Sequence, residues 1–232
     1  MTYEEGSFHD LHNLTQLILN HRVFKPTLYQ NSFGSQKIRM KCLDNRVFVG
    51  LDKLKQLNLA DNLFTCIDRG AFRGLYNIEE INLKKNYIVS IDERVFGGEC
   101  KDDFQLSCKN ATLSTYCNGT NALKILKYIN LRNNRLTYIH PRAFISCISL
   151  QMLDLGENRL LTLGTSFLYT PGHKGLFMDS CNIQEIPVNT FICAPLLSEI
   201  YFNFNYGINK ISLTILIPLK NLKIIHLSFV QL

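Results

Sequence analysis

The chain lacks the usual marks of an enzyme. It contains no G-x-S-x-G, no H-E-x-x-H and no phosphate-binding G-x-x-x-x-G-K-[ST] loop. The six histidines, at 9, 12, 21, 140, 173 and 226, are scattered and have no evident acid or nucleophile partner. Acid pairs such as Glu79-Glu80 and Asp102-Asp103 are adjacent, so on a strand they would point to opposite faces. No catalytic residue is assigned, and an enzyme is not expected. No C-x-x-C occurs either, so no metal ligand and no cofactor is assigned. The net charge of +6 is spread through mixed phrases such as KQLNLADN and EEINLKKN. Such mixing describes solvated surfaces, with at most a weak preference for acidic partners. No run of Lys and Arg interleaved with aromatics gives a nucleic-acid signature. After Met1, TYEEGSFHDL carries acids and no apolar core, so no signal peptide is read. The most apolar stretch, Ile211 to Leu219, is too short for a bilayer, holds Pro218 and lies between Lys210 and Lys220. Any membrane attachment is therefore expected through a segment outside this chain. No Pro-rich or Ser-rich linker divides it, so residues 1–232 are expected to form one domain.

What the chain does have is a period. Leu126, Ile129, Leu131 and Asn134 are followed by Leu150, Leu153, Leu155 and Asn158, each set reading L-x-x-L-x-L-x-x-N, 24 residues apart. This is the signature of a leucine-rich repeat. The alternation is that of a short strand, which buries its apolar side only by stacking on copies of itself. The Asn stands where the chain leaves the strand, and its amide can bond turns of neighbouring repeats. The Asn column runs through Asn62, Asn86, Asn110, Asn134, Asn158 and Asn182, with Asn205 one residue early. A Phe column, Phe48, Phe72, Phe96, Phe144, Phe167 and Phe191, is expected to fill the outer part of the core. The expected fold is α/β: a curved solenoid with a parallel sheet on its concave face and an irregular or short helical convex side. At this period the chain holds about nine repeats. It enters and leaves in mid-repeat, and terminal caps are not seen. A stretched spacing places an extended loop within 20–47, and 97–121 reads as an irregular Cys-bearing repeat. In HKGLFMDSCN, Asp179 falls where an inward Leu belongs, so either the register slips or Asp179 has a partner.

Cys42 and Cys66 are one period apart and should face outward from neighbouring repeats, within reach of a disulfide. Cys100, Cys108 and Cys117 could supply one bridge, with the pairing open. Cys147 replaces a core Leu and should be a buried thiol; Cys181 and Cys193 stay undecided. Three N-x-[ST] sequons, at Asn13, Asn110 and Asn118, are candidate glycosylation sites. Asn110 cannot be both an internal rung and an acceptor, which favours Asn118. The exposed strand positions form a continuous face on which a macromolecular partner could bind. The candidate ligand-binding residues on it are Lys84, Lys85, Tyr128, Arg132 and Asn133, with Tyr128 and Arg132 preferred as types enriched at hot spots.

The segments LKQLNLADNLFTCIDRGAFRGLYN and IEEINLKKNYIVSIDERVFGGECK resemble the typical 24-residue class of animal extracellular leucine-rich repeats, LxxLxLxxNxLxxIxxxxFxxLxx. Uneven repeat lengths and phrases such as LKNLKIIHLSFVQL make the chain most similar to a Toll-like receptor ectodomain. That resemblance implies a non-catalytic receptor of innate immunity that dimerises around its ligand. It would lie outside the plasma membrane or in the endosomal lumen, as part of a single-pass membrane protein. A secreted or matrix adhesion protein and an intracellular leucine-rich scaffold are the alternatives.

Overall fold

The computed structural model describes residues 8–21, 28–30, 36–38, 41–45, 47–97, 123–164, 167, 170, 172–208 and 211–229, with backbone alone at 28–30, 36–38 and 41. The strands are β1 (Gln16–Ile18), β2 (Leu28–Gln30), β3 (Gln36–Ile38), β4 (Lys41–Leu43), β5 (Gln56–Asn58), β6 (Phe64–Ile67) and β7 (Glu80–Asn82). They continue with β8 (Ser90–Ile91), β9 (Tyr128–Asn130), β10 (Tyr138–Ile139), β11 (Met152–Asp154), β12 (Gly175–Phe177), β13 (Glu199–Tyr201) and β14 (Ile224–His226). Eight of them form one sheet in the order β1-β5-β7-β9-β11-β12-β13-β14, with every pair parallel. Each strand contributes one inward residue between two outward ones. The inward set Leu57, Ile81, Ile129, Leu153, Leu176 and Ile200 lies in register and is fully buried. A parallel strand needs a crossover to reach its neighbour, and the rest of each repeat provides it.

Two internal columns hold the coils together. Asn86 donates from Nδ2 to the Leu59 and Leu83 carbonyls (3.1 and 3.0 Å), and its Oδ1 accepts from the Phe64 amide (3.2 Å). Asn134 and Asn158 repeat that pattern one and two rungs later. All three are buried, so each bond satisfies a backbone group that has no water to turn to. The rings of Phe8, Phe48, Phe72, Phe96 and Phe144 stack in sequence with centroids 5.3–6.4 Å apart. Phe167 and Phe191 are buried further along.

The side away from the sheet is irregular, as the sequence leads one to expect. Among the described residues it has one 3-10 turn, Leu213–Leu216, and two short parallel pairs, β4 with β6 and β8 with β10. Cys42 and Cys66 face each other across the first pair and are joined by a disulfide. A bridge across that loop contributes about 3 kcal/mol. Within 20–47, β2 and β3 pair antiparallel as a hairpin outside the main sheet.

Two expectations are corrected. First, β7 pairs directly with β9, and Asn134 bonds the Leu83 carbonyl, so the Asn86 and Asn134 rungs are neighbours where the 24-residue period expects one more between them. Most of the irregular repeat expected at 97–121, Asn110 included, lies outside the described residues. Second, the register slips by one residue in the degenerate repeat. Leu176 and Met178 point inward and are buried, while Phe177 and Asp179 face out. A one-residue slip exchanges the faces of a strand, and burying Leu176 and Met178 in place of Asp179 decides which register wins. Cys181 then takes the rung: its thiol bonds the Leu155 carbonyl (3.0 Å), its amide bonds Asn205 Oδ1 (3.0 Å), and Asn182 is exposed. The left-handed residue just before each rung marks the same position, with Asp61, Lys85, Asn133, Glu157, Ser180 and Phe204 at φ 54–59°.

Candidate functional site

The outward face of the main sheet runs unbroken across eight strands. Its character changes along the solenoid. From β5 to β11 the third strand residue is Asn58, Asn82, Asn130 or Asp154. Each accepts at Oδ1 from the amide two residues on, at 3.0 Å, closing a tight turn. Polar side chains link neighbouring strands beside this column. Gln16 bonds Gln56 (2.8 Å) and Gln56 bonds Glu80 (3.3 Å). Glu79 lies between Lys127 (2.6 Å) and Lys55 (3.7 Å), and Lys127 foremost holds its carboxyl below the usual range.

Arg132 is the hub of this half. Its guanidinium reaches Glu157 at 2.9 Å, Asp154 at 3.4 Å and Asp179 at 3.8 Å. Burial opposes its charge, but the carboxylates Asp154, Glu157 and Asp179 together raise its pKa. Burial also pushes the Asp154 carboxyl upward, against the Gly156 amide and Arg132. Gly156 makes room for the hub: a Cβ there would lie 2.3 Å from Arg132 Nη1. Tyr128 is half-buried alongside, its hydroxyl accepts from Asn130 Nδ2 (3.1 Å), and burial raises its phenol.

From β12 onward the column is aromatic. Phe177 stacks on Tyr201 at 4.5 Å, and Tyr201 stacks on His226 at 4.7 Å. These spacings match the distance between paired strands, so the sheet itself sets the stack. Gly175 leaves a notch beside Phe177, bordered by the exposed Met152. Along the adjoining edge, Phe204 and Phe229 stack at 5.0 Å, with Tyr206 beside them, and all three are exposed.

A family model described as leucine rich repeat matches residues 52–99 and 109–160. Together with the parallel ladder and the Asn rungs, this decides the architecture. The chain folds as a leucine-rich repeat solenoid. No curated protein matches its sequence significantly. Among solved structures, the leucine-rich repeat chain is similar to one titled as the TLR13–ssRNA13 complex, at 20% identity and a TM-score of 0.49. The alignment covers 100% of this chain and 35% of that one, so this chain spans about a third of its length.

In the leucine-rich repeat frame, the structure gathers Tyr128, Arg132 and Asn133 into one patch, with Asn133 Nδ2 bonded to Glu157 (2.6 Å). Lys84 and Lys85 lie one rung earlier, and Lys85 donates its amide to the Arg132 carbonyl (3.0 Å). Arg132 is thus an internal tie between strands more than a free anchor. Asn13 is exposed, and its Oδ1 accepts from Lys53 Nζ (2.8 Å). Asn110, Asn118, Cys100, Cys108 and Cys117 lie outside the described residues. Cys147 and Cys181 are buried free thiols, each pushed up to about 12 by burial, and Cys193 is disulfide-bonded. Two histidines read as lacking an acid have one: His9 Nδ1 is 3.2 Å from Asp10, and His21 Nδ1 is 3.0 Å from Asp61. Among the described residues no helix is long and apolar enough to cross a membrane.

Sequence reasoning missed the Phe177–Tyr201–His226 ladder because the frame that puts Asp179 at an inward position puts Phe177, two residues before it, inward as well. The apolar pair Leu176 and Met178, two apart and three before Cys181, was the signal that could have found it.

Proposed function

We propose that this chain is part of the ligand-binding ectodomain of a Toll-like innate immune receptor or a related cell-surface signalling receptor. It works without catalysis: a rigid sheet presents side chains to a protein or microbial macromolecular ligand, and ligand-bridged pairing of receptors carries the signal. The observation that supports this most is the ladder Phe177–Tyr201–His226, with Phe204 and Phe229 on its edge. Aromatic rings held in fixed positions on an exposed face give large contact area at little entropic cost, which suits binding hot spots. The repeat style favours a receptor. The Cys42–Cys66 disulfide favours an oxidising compartment, so the extracellular side of the plasma membrane or the endosomal lumen.

Sequencing the full-length transcript tests this reading. A signal peptide upstream, with one membrane span and a Toll-type cytoplasmic domain downstream, is the expected result. A stop codon soon after a Cys-rich cap, with no span, would overturn it in favour of a secreted adhesion protein.

A further inference from the structure

The first described turn brings together three metal-binding side chains that the sheet face does not use. His9, Asp10 and His12 are all exposed, and one ligand atom from each lies within 4.8 Å of the other two. The turn beneath them is fixed. The Leu11 amide bonds the Phe8 carbonyl (3.0 Å), and Phe8 is buried against Phe48. The His9 backbone rests on Gly50, whose left-handed φ of 94° and missing side chain permit the contact, since a Cβ would meet His9 O at 2.9 Å. Lys53 clasps Asn13 on the far side of the turn.

The ring nitrogens are also sorted. His12 Nδ1 lies 3.2 Å from the Gly50 carbonyl, and His9 Nδ1 lies 3.2 Å from Asp10 Oδ1. At His12 the carbonyl can only accept, so Nδ1 is the donor and the Nε2 lone pair is free, the outer arrangement usual for metal-bound imidazoles. At His9 the neighbour is Asp10 itself, so ring and carboxylate already face one another, and an ion between them takes the place of that contact. Tetrahedral zinc places its ligand atoms roughly 3.3 Å apart, so exposed side chains need only a small rotation to close on an ion.

From this geometry we propose that His9, Asp10 and His12 form a surface site for a divalent transition ion of the zinc class. Two imidazoles and one carboxylate select zinc, copper or nickel over calcium or magnesium, which prefer all-oxygen shells. The remaining coordination position faces solvent and takes water. The site stands apart from the sheet face and does not depend on the receptor reading.

Isothermal titration of zinc chloride into the full chain at pH 7.5 tests it, with circular dichroism to show that each variant is folded. The expected result is one zinc per chain in the micromolar range. Binding should weaken at least tenfold in His9→Ala with His12→Ala, and measurably in Asp10→Asn. His21→Ala, at the other exposed His–acid pair, should bind as the unaltered chain does. Absence of saturable zinc binding would overturn the proposal. So would binding that survives the double His substitution in a folded protein, or a response to magnesium equal to that for zinc.

Discussion

The two halves of the sheet face solve the same backbone problem in different ways. Two residues after each strand's third position stands an amide that needs an acceptor. From β5 to β11 the third residue supplies it locally, through Asn58, Asn82, Asn130 and Asp154. In the aromatic half the acceptor comes from the preceding repeat. Asp179 Oδ1 takes the Asn203 amide (3.1 Å), and Asn203 Oδ1 takes the Ser228 amide (3.0 Å). Shifting the acceptor two residues along and one coil back frees the third position for Tyr201 and His226. The polar half must present amides and carboxylates. The aromatic half can present rings because its turns are held from elsewhere.

The sharpest test of this division lies at the boundary rung. Asn158 makes bonds to the Leu131, Leu155 and Gly156 carbonyls and accepts from the Leu136 amide, all in a buried place. Asn158→Ala should cost roughly 3–5 kcal/mol, since several buried backbone groups lose their partner. Asn182→Ala should cost under about 0.5 kcal/mol, because the side chain is exposed and Cys181 holds the rung. Urea denaturation of both variants distinguishes them. Equal losses would mean that Asn182, not Cys181, is the rung.

The boundary repeat carries a second irregularity. His173 stands where Leu126, Leu150 and Leu197 stand in other repeats and is fully buried. Burial holds its pKa down at about 3, against 6.5 for a free imidazole. The folded chain therefore takes up the proton far less readily than the unfolded one. Its neutral form supports the fold fully above pH 6.5, and that support fades as pH falls toward 3. At pH 5 the loss should be about 2 kcal/mol. Melting curves from pH 7.5 to 5 should show a downward slope that His173→Leu flattens. An unchanged slope in the variant would assign the acid sensitivity elsewhere.

These residues also show where sequence suffices. The Asn and Phe columns were legible because a buried amide at a strand exit and a ring in the outer core have few substitutes. The inward Leu and Ile residues followed from the same period. The degenerate repeat was not legible, because DSCN offers two candidate rungs and His173 breaks the leading Leu position. Fixed spacing chose Asn182. Packing chooses Cys181, since only that register buries Leu176 and Met178. The misplaced Asp179 did signal the slip. The aromatic ladder stayed hidden because its rings come from three strands about 24 residues apart and meet only through the corrected register.

A smaller effect should separate the two ways of holding the turns. Asp179→Ala removes the acceptor of both the Asn203 amide and its side chain, along with one partner of Arg132. It should cost about 2 kcal/mol, against about 1 kcal/mol for Asn82→Ala, which loses the single bond from the Lys84 amide. Denaturant midpoints measure both. The reverse order would mean that acceptors from the preceding repeat matter less than local ones, and the aromatic half would need another explanation.

The smallest expected effect concerns the left-handed column at the sheet edge. Polar residues occupy it at Asp61, Lys85, Asn133, Glu157 and Ser180, while Phe204 and Phe229 occupy the next two places at φ 59° and 60°. A bulky residue there costs about 1–2 kcal/mol, and a stacked ring pair returns about 1 kcal/mol. Phe204→Asn should therefore leave stability within about 1 kcal/mol of the unaltered chain, as the relieved backbone offsets the lost stack. The reciprocal change, Asn133→Phe, gains the strain and loses the bond to Glu157, and should destabilise by about 1–2 kcal/mol. If both hold by thermal melting, folding does not require the exposed rings at 204 and 229, and a surface that keeps them at no benefit to the fold keeps them for contact. A large loss in Phe204→Asn would instead make the aromatic edge part of the scaffold.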